Sequence, residues 1–103
     1  FNLCHALMDG AEDRIAALLD ELAPHLFVVS INGADSHPAK PGWPQLIQTL
    51  DKGSYDTGIV LKKLKDIGFK GPVGLQCYSI KGDPKALLTG SMDAWRKLTG
   101  KMQ

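Results

Sequence analysis

Long uninterrupted apolar runs are missing from this 103-residue chain. None approaches the roughly 18 residues that cross a bilayer, and the first residues lack the basic, apolar, small-residue order of a secretory signal. The expectation is a soluble, cytoplasmic protein, although a signal upstream of Phe1 would leave no trace here. Charge of one sign is also missing: 12 Lys and Arg stand against 11 Asp and Glu, with no long block of either. The electrostatic footprint of a nucleic-acid or membrane-surface binder is therefore absent. Lys62, Lys63 and Lys65 read as the solvated face of a helix. Cysteine is scarce, and Cys4 and Cys77 each stand in an apolar, strand-like segment. That placement reads as reduced, buried thiols rather than a disulfide or a metal pair.

What is present suffices for one small domain. Apolar residues make up 44% of the chain, enough to build a core. Phe1 to Cys4 reads as the end of a strand, and Met8-Asp9-Gly10 as a loop into a helix from about Ala11 to Ala23. In that helix Ile15, Leu18, Leu19 and Leu22 form one apolar stripe, and Pro24 ends it. Leu26 to Ile31 is a short apolar, β-branched run without alternation, the pattern of a strand covered on both faces in a parallel sheet. A long polar stretch follows, with three prolines and three glycines, read as an extended loop with a short helical turn at Trp43 to Ile47. Loops of this length in small domains are usually functional.

Asp56 can cap the next helix, which runs to about Ile67 with Val60, Leu64 and Ile67 inward and Gly68 as its stop. Val73 to Tyr78 supplies a third strand. Asp83-Pro84 then starts a last helix whose stripe is Leu88, Met92, Trp95 and Leu98, with Gly90 a weak point inside it. Strand and helix alternate three times, the order of right-handed parallel crossovers. Pattern alone leaves a small open sheet and part of a barrel as equal possibilities.

The stretches N-L-C-H (residues 2–5), V-V-S-I-N (28–32), L-D-K-G-S-Y-D (50–56) and L-K-K-L-K-D-I-G-F-K-G-P-V-G-L-Q (61–76) together resemble the C-terminal part of the xylose isomerase-like TIM barrels. That superfamily includes sugar phosphate isomerases and epimerases and the endonuclease IV group. The resemblance spans nearly the whole chain and implies an α/β fold. It implies in particular a partial (β/α)8 barrel of three consecutive βα units, resembling units six to eight of a barrel of about 250 residues. Phe1 then continues a strand whose start lies elsewhere. Three units cannot close a barrel, so the chain alone is expected to self-associate or aggregate through open sheet edges.

In such barrels the chemistry sits at the carboxyl ends of the strands. The resemblance implies a divalent metal there (Mn, Mg, Co or Zn), held by carboxylates and a histidine, and glutamates that move a proton next to a carbonyl. The family's D-x-x-H reads here as Asn2-Leu3-Cys4-His5, which retains the histidine and replaces the metal-binding aspartate. Ser30 stands where a histidine ligand is expected, and Gln76 where a glutamate is expected. An amide cannot act as a general base near neutral pH and ligates metals poorly. The usual metal site is thus altered.

A replacement is available in Asp35-Ser36-His37. In an extended segment residues 35 and 37 point the same way, so Asp35, His37 and His5 could form a two-histidine, one-carboxylate metal set. Asn2, His5, Ser30, Asn32, Lys52 and Gln76 are the candidate contacts for a sugar or polyol. Trp43 is a candidate lid over the pocket, and Trp95 a core residue.

The resulting expectation is the C-terminal portion of a sugar or sugar phosphate isomerase or epimerase-like enzyme, inactive by itself, that works by proton transfer next to a carbonyl. The alternative is a metal-free carbohydrate-binding or inactive truncated barrel, which the Asn2, Ser30 and Gln76 pattern favours. A hydrolase or endonuclease of the same superfamily ranks third, because the near-neutral charge argues against DNA binding.

Overall fold

A computed structural model describes residues 1–101 of the chain. Its sheet is parallel, with β1 (Val29–Ile31) paired to β2 (Val73–Leu75) in the register Val29 to Val73, Ser30 to Gly74 and Ile31 to Leu75. On the other side of β1 the first residues add a single parallel bridge, Asn2 to Ser30. The bridge is held by Ser30 N donating to Phe1 O at 2.8 Å and by the terminal ammonium donating to Val28 O at 2.9 Å. Three extended segments therefore lie side by side in chain order. The chain is α/β with parallel pairing, as the strand and helix alternation predicts.

The extended segments are shorter than their apolar runs suggest. Phe1 to Cys4 was expected to end a strand, yet only Asn2 pairs and α1 begins at Leu3 (Leu3–Met8). Leu3 and Leu7 stand four residues apart, so a helix buries both on one stripe, and the core takes that option. Gly10, at φ +81°, closes α1, with Ala11 N donating to Ala6 O and Gly10 N to Leu7 O. The expected strand Leu26 to Ile31 contracts to β1, and Phe27 and Val28 are left exposed. Coverage on both faces holds only in part: Val29 and Ile31 are buried, whereas Ser30 is half-buried and Gly74 beside it is exposed. Val73 to Tyr78 contracts to β2 plus one more ladder bond, Gln76 N to Ile31 O at 2.8 Å, before the chain turns at Ser79 with φ +59°.

The helices follow the periodicity more closely. The predicted helix Ala11 to Ala23 is a 3-10 turn (Glu12–Arg14), then α2 (Ile15–Leu22), then a second 3-10 turn (Ala23–His25) that carries the chain through Pro24. Ile15 and Leu19 are buried while Leu18 and Leu22 are half-buried. Helix α4 (Gly58–Asp66) buries Val60, Leu61 and Leu64 and packs on α2, where Lys63 meets Asp20 at 3.0 Å. Thr57, not the expected Asp56, holds the N-cap position and makes no side-chain cap bond; Asp56, one residue earlier, accepts from Gly58 N at 2.9 Å, and Gly68 at φ +71° ends the helix. Helix α5 (Pro84–Gly100) is capped by Asp83, whose carboxylate accepts from Ala86 N at 3.1 Å. Of its stripe, Trp95 and Leu98 pack on the core, but Leu88 and Met92 are 55% and 48% exposed. Both line an open groove beside Val73 and Leu75 of β2.

The long connection between β1 and α4 is more ordered than its polarity suggests. It holds α3 (Trp43–Leu46) and an antiparallel bridge between Gly33 and Gln48, and it buries Ala34, Leu46, Ile47, Leu50 and Tyr55. Gly90, read as a weak point, has a packing reason: a methyl group there would sit 3.3 Å from the Asp51 carboxylate. No described helix is long and apolar enough to cross a membrane.

Candidate functional site

Parallel strands direct all their carboxyl ends to one side, and in open α/β sheets ligands bind there. At this end the chain leaves Asn2 into α1, leaves β1 into the long loop with α3, and leaves β2 into the turn at Cys77–Ser79. Between these three exits lies a cleft of about 370 Å3, lined by Cys4, His5, Trp43, Ile47, Gln76 and Tyr78. His5 sits on the exposed face of α1, and its ring centroid is 5.1 Å from that of Trp43 with the planes tilted by 60°. Gln76 is half-buried; its Oε1 accepts from Tyr78 N at 3.0 Å, and no described residue takes its amide Nε2. The cleft thus offers an imidazole, an amide donor and two exposed aromatic faces.

Two of the predicted contacts, His5 and Gln76, meet in this cleft, with Trp43 at its edge where a lid was expected. Asn2 stands one step behind it, its Oδ1 accepting from the Cys4 thiol at 3.2 Å. Burial pushes the Cys4 thiol above its usual range, and hydrogen bonds from the backbone of His5 and of Cys4 itself oppose this only in part. Cys4 is therefore a protonated, buried thiol, as its segment suggested. Cys77 is also unpaired but only half-buried, because it lies in the turn after β2 rather than within a strand.

The other predicted residues go elsewhere. Ser30 is held in the sheet between Asn2 and Gly74. Asn32 is fully buried and donates through Nδ2 to Gly33 O and Leu46 O, which anchors the loop, while its Oδ1 has no hydrogen-bond partner among the described residues. Lys52 is exposed on a different groove with Asp51 and Asp56.

The metal set His5, Asp35 and His37 does not assemble. The expectation assumed extended backbone from 35 to 37, but His37 has φ +48° and is not extended, and among the described residues the ligand atoms that gather within 4.8 Å with His37 are those of Glu12 and Asp13. His37 N donates to Glu12 Oε1 at 2.8 Å, and His37 Nε2 lies 3.0 Å from Asp13 Oδ1. Nor do the cleft residues fit the divalent metal that the resemblance implies. Among the described lining residues none is a carboxylate, Cys4 is a buried thiol whose pKa burial raises, and His5 stands as the only imidazole.

Sequence reasoning missed Cys4, Ile47 and Tyr78 as cleft residues and missed the pairing of Glu12 and Asp13 with His37. No local signal links positions 12 and 37; only the return of the loop over the start of α2 does so. Comparison of the chain with protein-family models, with curated proteins and with solved structures gives no match in any of the three.

Proposed function

We propose that this chain forms three consecutive βα units, the sixth to eighth, of a xylose isomerase-like (β/α)8 barrel and contributes part of its pocket for a small polyhydroxylated carbonyl compound. The whole barrel, in this reading, acts as an isomerase or epimerase by proton transfer next to the carbonyl. The observation that carries it is the cleft at the carboxyl ends of three parallel segments in chain order, where His5, Gln76 and Trp43 converge. Trp43 and Tyr78 offer apolar faces to the C–H side of a sugar, while the Gln76 amide and His5 imidazole offer hydrogen bonds to its hydroxyls. An imidazole can also accept or return a proton near neutral pH. No carboxylate lines the cleft among the described residues, so in this reading a second acid or base and any metal ligands come from the other units.

That lining also favours a second reading, a metal-free carbohydrate-binding barrel. One experiment separates the two. The full-length protein is titrated by calorimetry with a panel of aldoses, ketoses and their phosphates, and the binding compounds are then incubated in D2O. Saturable binding weakened at least about tenfold by Gln76→Ala or Trp43→Ala supports the shared pocket. Deuterium entering the carbon next to the carbonyl, and lost in His5→Ala, supports the isomerase reading. Binding without exchange supports the carbohydrate-binding reading, and absence of binding rejects both. Open sheet edges also lead us to expect concentration-dependent self-association of residues 1–103 alone in analytical ultracentrifugation.

A further inference from the structure

A second cluster of chemistry-bearing side chains shares no residue with the strand-end cleft. Glu12 and Asp13 open the turn before α2, and His37 comes down on them from the loop after β1. His37 Nε2 lies 3.3 Å from Glu12 Oε2 and 3.0 Å from Asp13 Oδ1, and one ligand atom of each residue lies within 4.8 Å of the others. Ligands about 2.0–2.2 Å from a tetrahedral zinc ion are themselves about 3.3–3.6 Å apart, so little movement separates this arrangement from coordination. Two carboxylates and a neutral imidazole would balance the charge of a divalent cation. Glu12 is held in place by His37 N, which donates to Oε1, and by the Ser36 hydroxyl, which donates to Oε2, the oxygen that faces His37 Nε2; Ser36 N donates in turn to Ser54 Oγ.

The independent sign of a ligand is Tyr55. It lines the same groove of about 440 Å3 and is 8% exposed, and its hydroxyl is shielded from solvent with no hydrogen-bond partner among the described residues. A buried phenol normally finds a partner, and an unpartnered one is costly. Burial raises the Tyr55 pKa to about 12, with the carboxylates of Glu12 and then Asp56 adding to the effect. The hydroxyl therefore sits in the field of Glu12 and stays a donor at neutral pH.

We propose that Glu12, Asp13 and His37 bind a divalent transition-metal cation of the zinc and cobalt class, with the Tyr55 hydroxyl donating to a water that completes its coordination. Mixed nitrogen and oxygen donors favour these ions over calcium or magnesium, which select all-oxygen sites. Titration calorimetry with Zn2+ on the protein is expected to show one equivalent bound, and Co2+ to give the visible absorption of a low-coordinate site. His37→Ala, Glu12→Gln and Asp13→Asn should each weaken Zn2+ binding at least about tenfold, while His25→Ala should not. Asp13 is 80% exposed, so Asp13→Asn keeps the test valid if another variant fails to fold. Tyr55→Phe should leave one equivalent bound but shift the Co2+ spectrum. Absence of stoichiometric Zn2+ binding, or binding unmoved by Asp13→Asn in a folded protein, would overturn the assignment.

Discussion

Gly53 lies flat against the backbone of Ala34: a methyl group on Gly53 would stand 2.1 Å from Ala34 O. The same carbonyl accepts from Tyr55 N at 2.8 Å, so the contact docks the end of the long loop onto its beginning. Gly53 also has φ +85°, a region that other residues enter at a cost. Gly53→Ala is expected to cost about 3 kcal/mol, from the clash plus the backbone strain. Gly68, at φ +71° with nothing within 4 Å of an added methyl, is the control. Gly68→Ala should cost only about 1 kcal/mol by urea denaturation.

Helix α5 is tied to the loop by Ser91, which is 3% exposed and whose hydroxyl accepts from Leu50 N at 3.1 Å. Ser91→Ala leaves that buried N–H without a partner and should destabilise the protein by about 1–2 kcal/mol. Leu88→Ala, three residues earlier on an exposed face, should change stability by less than about 0.5 kcal/mol. Equal losses at the two positions in thermal melts would contradict the observed docking of α5.

Asn32 and Gln76 read alike in the sequence and separate in the structure. Asn32→Ala removes two hydrogen bonds from inside the loop and is expected to cost about 2 kcal/mol, visible as a lowered melting temperature. Gln76→Ala, at the half-buried cleft, should leave stability within about 0.5 kcal/mol and act on ligand binding instead.

The Tyr55 hydroxyl gives an alkaline signature. Its pKa in the folded chain is raised to about 12 from an ordinary value of 10, so the folded state holds this proton more tightly than the unfolded one. The contribution to stability is fully present below pH 10 and is lost as pH rises toward 12, by about 2 kcal/mol. Denaturation at pH 9 and pH 11.5 should show this loss, and Tyr55→Phe should remove that part of it.

Much of the helical structure is legible from local chemistry. For α4, the stop at Gly68, the inward Val60 and Leu64 and an Asp56 carboxylate that binds Gly58 N from one residue before the N-cap suffice, because each acts within a few residues. Helix α5 is announced in the same way by Asp83 and Pro84. The extended segments are less legible. A short apolar run such as Phe1 to Cys4 satisfies a strand and a helix equally, and its outcome depends on which face the core needs. The cleft is half legible: His5 and Gln76 stand at strand exits, whereas Cys4, Ile47 and Tyr78 join them only through folding.

By itself, then, the sequence determined the alternation of strand and helix, the near-neutral charge, the helix stops and the residue types able to meet a polar ligand. These are properties of neighbouring residues, carried by periodicity, capping and turn geometry. The tertiary structure alone decided that His37 turns to Glu12 and Asp13 rather than to Asp35 and His5, that Asn32 is buried, and that Leu88 and Met92 remain in solvent. Each of these depends on contacts between distant segments, and the first also on a backbone angle, φ +48° at His37, that no short-range pattern encodes.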